Sequence, residues 1–212
     1  MEPQPSVWKS TLAEFEDQIT QGDAITGAVA VAAVSAALAV SLLRMVLEIT
    51  ARKNESESLR GQIQELLEAA RTASEHLKRT ADEDRSAYAA YRIACRLPQA
   101  TEQERAERRE AQRASLQKAT ETPLQAARSA VRAIELCAQA ATLARGDVAA
   151  DIGGAAAILN GAVLAILTSV DANLRRIEVG ALVAERRDLE ERASRYAEQV
   201  RDRLRTLAAQ VR

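Results

Sequence analysis

The sequence predicts an all-α fold, a bundle of about six helices around two central alanine-rich apolar ones. Three observations carry that expectation. Hydrophobic residues make up 47% of the 212 positions but aromatics only 2%, so the core must be assembled from Ala, Leu, Val and Ile. Alanine is the strongest helix former, whereas strands favour the aromatic and β-branched residues. Eight glycines and four prolines are too few for the many turns of an all-β domain, and apolar residues recur at helical spacings of three and four along most of the chain.

Thr11-Leu12-Ala13-Glu14 reads as a capping box opening a short helix, with Trp8, Leu12, Phe15 and Ile19 on one face and Gly22-Asp23 as its end. Thr26-Gly27 opens the first apolar helix, which runs to about Lys53, and the polar stretch 54–58 forms a turn. A long helix follows from about Ser58 to Arg96, stopped by Leu97-Pro98. Its inward stripe is Leu59, Ile63, Leu66, Ala70, Ala73, Leu77, Ala81, Tyr88, Tyr91 and Cys95.

Thr101 to Glu104 is a second capping box, opening a charged helix to about Ala119. Thr122-Pro123 reads as an N-cap followed by proline at the first helical position of the next helix. That helix carries Leu124, Ala127, Val131, Ile134, Ala138 and Ala141 inward and ends at Arg145-Gly146. Asp151 caps the second apolar helix, and Leu189, Ala193, Tyr196, Val200, Leu207 and Val211 mark an amphipathic C-terminal helix. No internal repeat or linker interrupts the pattern, so residues 1–212 are expected to form one domain.

Charge excludes one class of partner. Twenty-nine basic residues oppose 30 acidic ones, interleaved along helix faces and without a basic block. Nucleic acid is therefore not expected as a partner. Segments 24–43 and 152–170 hold no charged residue and are long enough to span a bilayer. They are rich in Ala, Ser, Gly and Val, lack aromatic belts and merge into charged helix, which favours close packing inside a protein over insertion. A chain this short cannot surround two such helices, so a subunit interface is expected.

Cys95 and Cys137 have no CxxC spacing and no histidine partners, and are expected as buried, reduced hydrophobes of a cytoplasmic protein. Glu2, Pro3 and Pro5 stand where a signal peptide would begin with basic residues. The lone His76 lies in a charged turn, and no metal site is expected.

One residue breaks the inward stripe of the long helix. Between Ala81 and Tyr88 the helical spacing falls on Asp84. A carboxylate on a buried face has its pKa pushed toward neutrality, which suits a general acid–base or the counter-ion of a developing cation. A structural carboxylate bonded to a neighbouring helix fits the same spacing.

Asp84-Arg85-Ser86-Ala87-Tyr88, followed by Arg96-Leu97-Pro98, resembles the D-x-x-A-[FY]…LP signature of the cyclodeaminase/cyclohydrolase family. That family comprises the C-terminal half of formiminotransferase-cyclodeaminase and the stand-alone methenyltetrahydrofolate cyclohydrolases. Three further stretches agree in order and spacing: Gly27-Ala28-Val29-Ala30 with Met45-Val46 and Thr50, residues 119–124, and Arg145-Gly146-Asp147 through Asp151-Ile152-Gly153.

The resemblance covers about residues 11–205 and implies a cytoplasmic helical homodimer. It implies no cofactor, a tetrahydrofolate derivative as substrate, and hydrolysis of a methenyl bridge or loss of ammonia from a formimino group. By residue-to-residue match it implies catalysis by Asp84 and Asp151, capping being the other reading of Asp151. Substrate contacts are implied at Thr26, Gly27, Ala28, Lys53, Tyr88, Asp147 and Asp171.

The chain also departs from the family. Its Gly-Gly-Gly-Ser turn is here Ile25-Thr26-Gly27-Ala28, and the asparagines of the second core helix have Leu167 and Asp171 in their places. A binding or scaffold protein on the same fold is the alternative these departures support.

Overall fold

The computed structural model describes residues 6–21, 26–53, 56–144, 148–177 and 180–210. Among them are six α-helices and no strand: α1 Leu12–Thr20, α2 Ala28–Arg52, α3 Glu57–Ala94, α4 Glu102–Leu143, α5 Ala149–Leu174 and α6 Gly180–Gln210. The all-α expectation holds.

Both capping boxes form. Thr11 and Glu14 exchange bonds at 2.6 and 3.2 Å, and Thr101 and Glu104 at 2.9 and 3.1 Å. One apolar cluster draws on α2, α3, the second half of α4, α5 and α6, and it is made largely of alanine, which lets helix backbones approach closely. Cys137 lies inside it, where burial pushes its thiol up to about 12, so it stays a neutral hydrophobe. Cys95, expected in the core, is only half-buried at the C-terminal cap of α3.

The predicted break before Pro123 is absent. Helix α4 runs through it as one element of 42 residues. An interior proline removes one N–H and crowds the preceding turn, at a cost of about 3 kcal/mol. Thr120, Thr122, Pro123 and Leu124 are all buried, and that burial keeps the helix continuous. Sequence rules place proline at a helix start because they weigh local cost without tertiary burial.

Two other local expectations change. Val148, without a side-chain cap, precedes α5, so Asp151 sits inside the first turn rather than at the cap. Leu12 and Ile19 are 80% and 40% exposed, and only Phe15 of that helix is buried. The N-terminal segment is held from its other end. Ser6 Oγ and the Val7 N–H donate to Asp82 of α3 at 2.6 and 2.9 Å, and Trp8 Nε1 donates to the Lys78 carbonyl at 2.9 Å. Val7 and Phe15 then pack on Ala33 of α2 and Ala81 of α3.

Helices α2 and α5 are long and apolar enough to cross a membrane, yet 56% and 44% of their most apolar windows are buried within the bundle. Their outward sides leave Leu38, Met45, Ile158 and Leu164 between 41% and 59% exposed.

Candidate active site

Asp84 projects from α3 one turn after Ala81 and one turn before Tyr88. Asp84 and Tyr88 line a cavity of about 250 Å³ closed by Gly27–Val29 of α2, Ala119 and Pro123 of α4, and Ser169, Ala172 and Asn173 of α5. Four helices therefore meet around this carboxyl. It is half-buried, and no hydrogen bond or ion pair reaches it among the described residues. Burial alone raises its pKa from 3.8 to about 6. Two residues earlier on the opposite side of the same helix, Asp82 is taken up by Ser6 and Val7. The two neighbours thus separate into a structural carboxylate and an unpartnered one.

The N-terminus of α2 forms the wall facing Asp84. Gly27 is its N-cap, in extended backbone, and makes no side-chain cap bond. The first-turn N–H groups of a helix have no intrahelical partner and carry partial positive charge. The cavity thus brings the first residues of α2 and the Asp84 carboxyl into one lining. Gly27 and Ala28 also border a second, larger groove of about 730 Å³ between α2 and α5, lined by Thr26, Val31, Ser35 and Ile158 among others. Thr26 is buried at its edge.

Of the residues expected from sequence, Asp84, Tyr88, Gly27, Ala28 and Thr26 come together here. Lys53 does not. It ends α2 at the far end of a 25-residue helix, about 37 Å along its axis, and lines a separate cavity with Thr142 and Val148. Asp151 lies near that same end, about 27 Å along α5 from Ser169. Asp147 lies outside the described residues. Asp171 points toward α6, where Arg186 grips both its oxygens at 2.8 Å.

Sequence reasoning missed Ser169 and Asn173. Leu167 is in the core, and the polar side chains of α5 that reach the cavity are these two, one turn apart. Their i, i+4 spacing in the last turns of a largely apolar helix was the available signal. Asn173 Nδ2 donates to the Ala119 carbonyl at 3.0 Å.

The fold is similar to that of the crystal structure of formiminotetrahydrofolate cyclodeaminase from Thermotoga maritima. Identity is 21%, coverage is 95% of this chain and 99% of that one, and the TM-score is 0.84. No curated protein matches the chain. The family model described as formiminotransferase-cyclodeaminase matches residues 11–192, and the chain therefore belongs to the formiminotransferase-cyclodeaminase family.

Proposed function

We propose that this chain is an enzyme acting on a one-carbon group carried by tetrahydrofolate, as a cyclodeaminase or a methenyl cyclohydrolase, with Asp84 as its acid–base. The observation that carries the reading is an unpartnered, half-buried carboxyl with a pKa of about 6 in a cavity faced by a helix N-terminus. Both reactions pass through a cation delocalised over the one-carbon unit and its nitrogens. An ionised carboxylate beside that carbon stabilises the cation, and its pKa near the working pH suits proton transfer.

In the deaminating direction N10 attacks the carbon of the protonated formimino group. As the new C–N bond forms, the C=N pair moves onto the formimino nitrogen, leaving it an NH2 group. Asp84 takes the N10 proton and returns it to the departing nitrogen, which leaves as ammonia with the pair of the broken C–N bond. In hydrolysis, water adds to the methenyl carbon and gives one proton to Asp84, which returns it to the ring nitrogen that leaves with the pair of the broken C–N bond. The new hydroxyl loses its own proton to water and becomes the formyl oxygen. The small cavity fits the one-carbon end of the ligand. The apolar groove that meets it at Gly27–Ala28 fits the flat aromatic remainder.

The exposed apolar side of α2 and α5 is assigned to a second copy of the chain, related by a two-fold axis, in a soluble cytoplasmic protein. Its area of exposed Leu, Ile and Met is of the kind that marks an interface.

The test is spectroscopic. The ultraviolet absorbance of methenyltetrahydrofolate should decay faster with the protein than without it, or should grow from 5-formiminotetrahydrofolate. Asp84→Asn should abolish either change. An unaltered rate in that variant removes Asp84 from the chemistry.

A binding protein on the same fold is the second reading, favoured by the placement of Asp151, Lys53 and Asp171 away from the cavity. It requires folate binding without turnover.

A further inference from the structure

Pro123 supplies no N–H inside α4, so the carbonyl four residues back, at Ala119, lacks its helix donor. Asn173 of α5 provides one at 3.0 Å. All three residues border the Asp84 cavity. Chemistry settles which end of the carboxamide is which, because only its NH2 can donate to a carbonyl. With Nδ2 drawn against α4, Oδ1 is left without a partner among the described residues. A carboxamide held this way cannot swap ends without orphaning the Ala119 carbonyl, so it presents a fixed acceptor.

We infer that Asn173 is a specificity-determining residue of this site: its Oδ1, aimed by the carbonyl that Pro123 leaves open, accepts a hydrogen bond from an N–H of the bound one-carbon group. The inference rests on the folate reading above and sharpens it. A formimino group carries N–H on the nitrogen bound to the reacting carbon. A formyl group puts an oxygen there and brings none. A site built to hydrogen-bond an N–H discriminates against the analogue lacking it, because the half-buried Asn173 oxygen then meets the formyl oxygen, a second acceptor, in place of a donor. The proline acts at one remove, as the device that keeps the amide from turning.

Binding of 5-formiminotetrahydrofolate and 5-formyltetrahydrofolate is measured by calorimetry for the wild type, Asn173→Ala and Pro123→Ala, with a thermal midpoint for each. The wild type should prefer the formimino ligand. Asn173→Ala should bind it about tenfold more weakly, with formyl binding unchanged. Pro123→Ala restores the helix donor to Ala119 and releases the carboxamide. It should weaken formimino binding several-fold, although its thermal midpoint does not fall, a combination that a purely structural role for Asn173 does not produce. Equal weakening of both ligands, or no change in either variant, overturns the assignment of Asn173 while leaving the folate reading standing. A wild type that binds neither ligand overturns this inference, and if it also fails to bind methenyltetrahydrofolate the folate reading falls with it.

Discussion

Asn173 on α5 and Ala119 on α4 are joined by a hydrogen bond that Pro123 makes necessary. Its Nδ2 lies 3.0 Å from a carbonyl whose own helix donor is missing. One interaction thereby satisfies the carbonyl that the proline leaves open in α4, ties α4 to α5 and sets a wall of the Asp84 cavity. Asn173→Leu should cost about 1–3 kcal/mol in urea denaturation, the penalty of a buried carbonyl left unpaired. Adding Pro123→Ala to that variant should recover most of the loss. If the double variant is no more stable than Asn173→Leu alone, the carbonyl was not the source of the cost.

Asp84 should trade stability for activity. Its carboxyl has a folded pKa near 6 against an ordinary 3.8, so the folded chain holds this proton more tightly than the unfolded one. Its stabilising contribution is complete below about pH 4 and is lost as pH rises through 6. Asp84→Asn imitates the protonated form, and at pH 7.5 it should be more stable than the wild type by on the order of 2 kcal/mol. Near pH 4 the two should coincide. Equal stability at both pH values means a solvated carboxyl. For activity the ionised form is needed, so kcat/KM should fall on the acid side with a midpoint near 6.

Asp171 has a structural partner. Its bidentate pair with Arg186 fastens α6 to α5, and Arg186 also meets Glu190. Asp171→Asn should lower stability by about 0.5–1 kcal/mol, the range of a partly exposed pair. The KM for a folate substrate should stay at its wild-type value, and a several-fold rise in KM would return Asp171 to the binding site.

Gly161 faces the larger groove, and a Cβ there would meet nothing within 4 Å. Gly161→Ala should therefore stabilise α5 by up to about 1 kcal/mol through helix propensity. The added methyl narrows the groove, so ligand binding should weaken in the same variant. Tighter binding would show that the ligand lies elsewhere.

Leu38 is 59% exposed on the α2 side of the apolar face assigned to a second copy. Leu38→Glu should convert a dimer to a monomer in sedimentation velocity without loss of helical circular dichroism. A wild type that sediments as a monomer at micromolar concentration defeats the two-fold assembly.

The sequence by itself determined the helical class, both capping boxes, the two apolar helices and the inward aspect of Asp84. Each is written in local terms: propensity, a side chain that reaches three residues along the backbone, or a period of 3.6. What only the tertiary structure decided lies between helices. Periodicity places Ala119 and Pro123 on one helix and Asn173 on another, but it has no means of stating that a carbonyl orphaned on the first is met by an amide on the second. The last turns of α5 carry polar residues on several sides, and spacing alone does not say which of them turns to the cavity, so Leu167 and Asp171 stood where Ser169 and Asn173 line it. The separation of Asp151 and Lys53 from Asp84 has the same origin. Sequence order ranks residues along the chain, whereas the distance between the ends of packed helices follows from their lengths and directions.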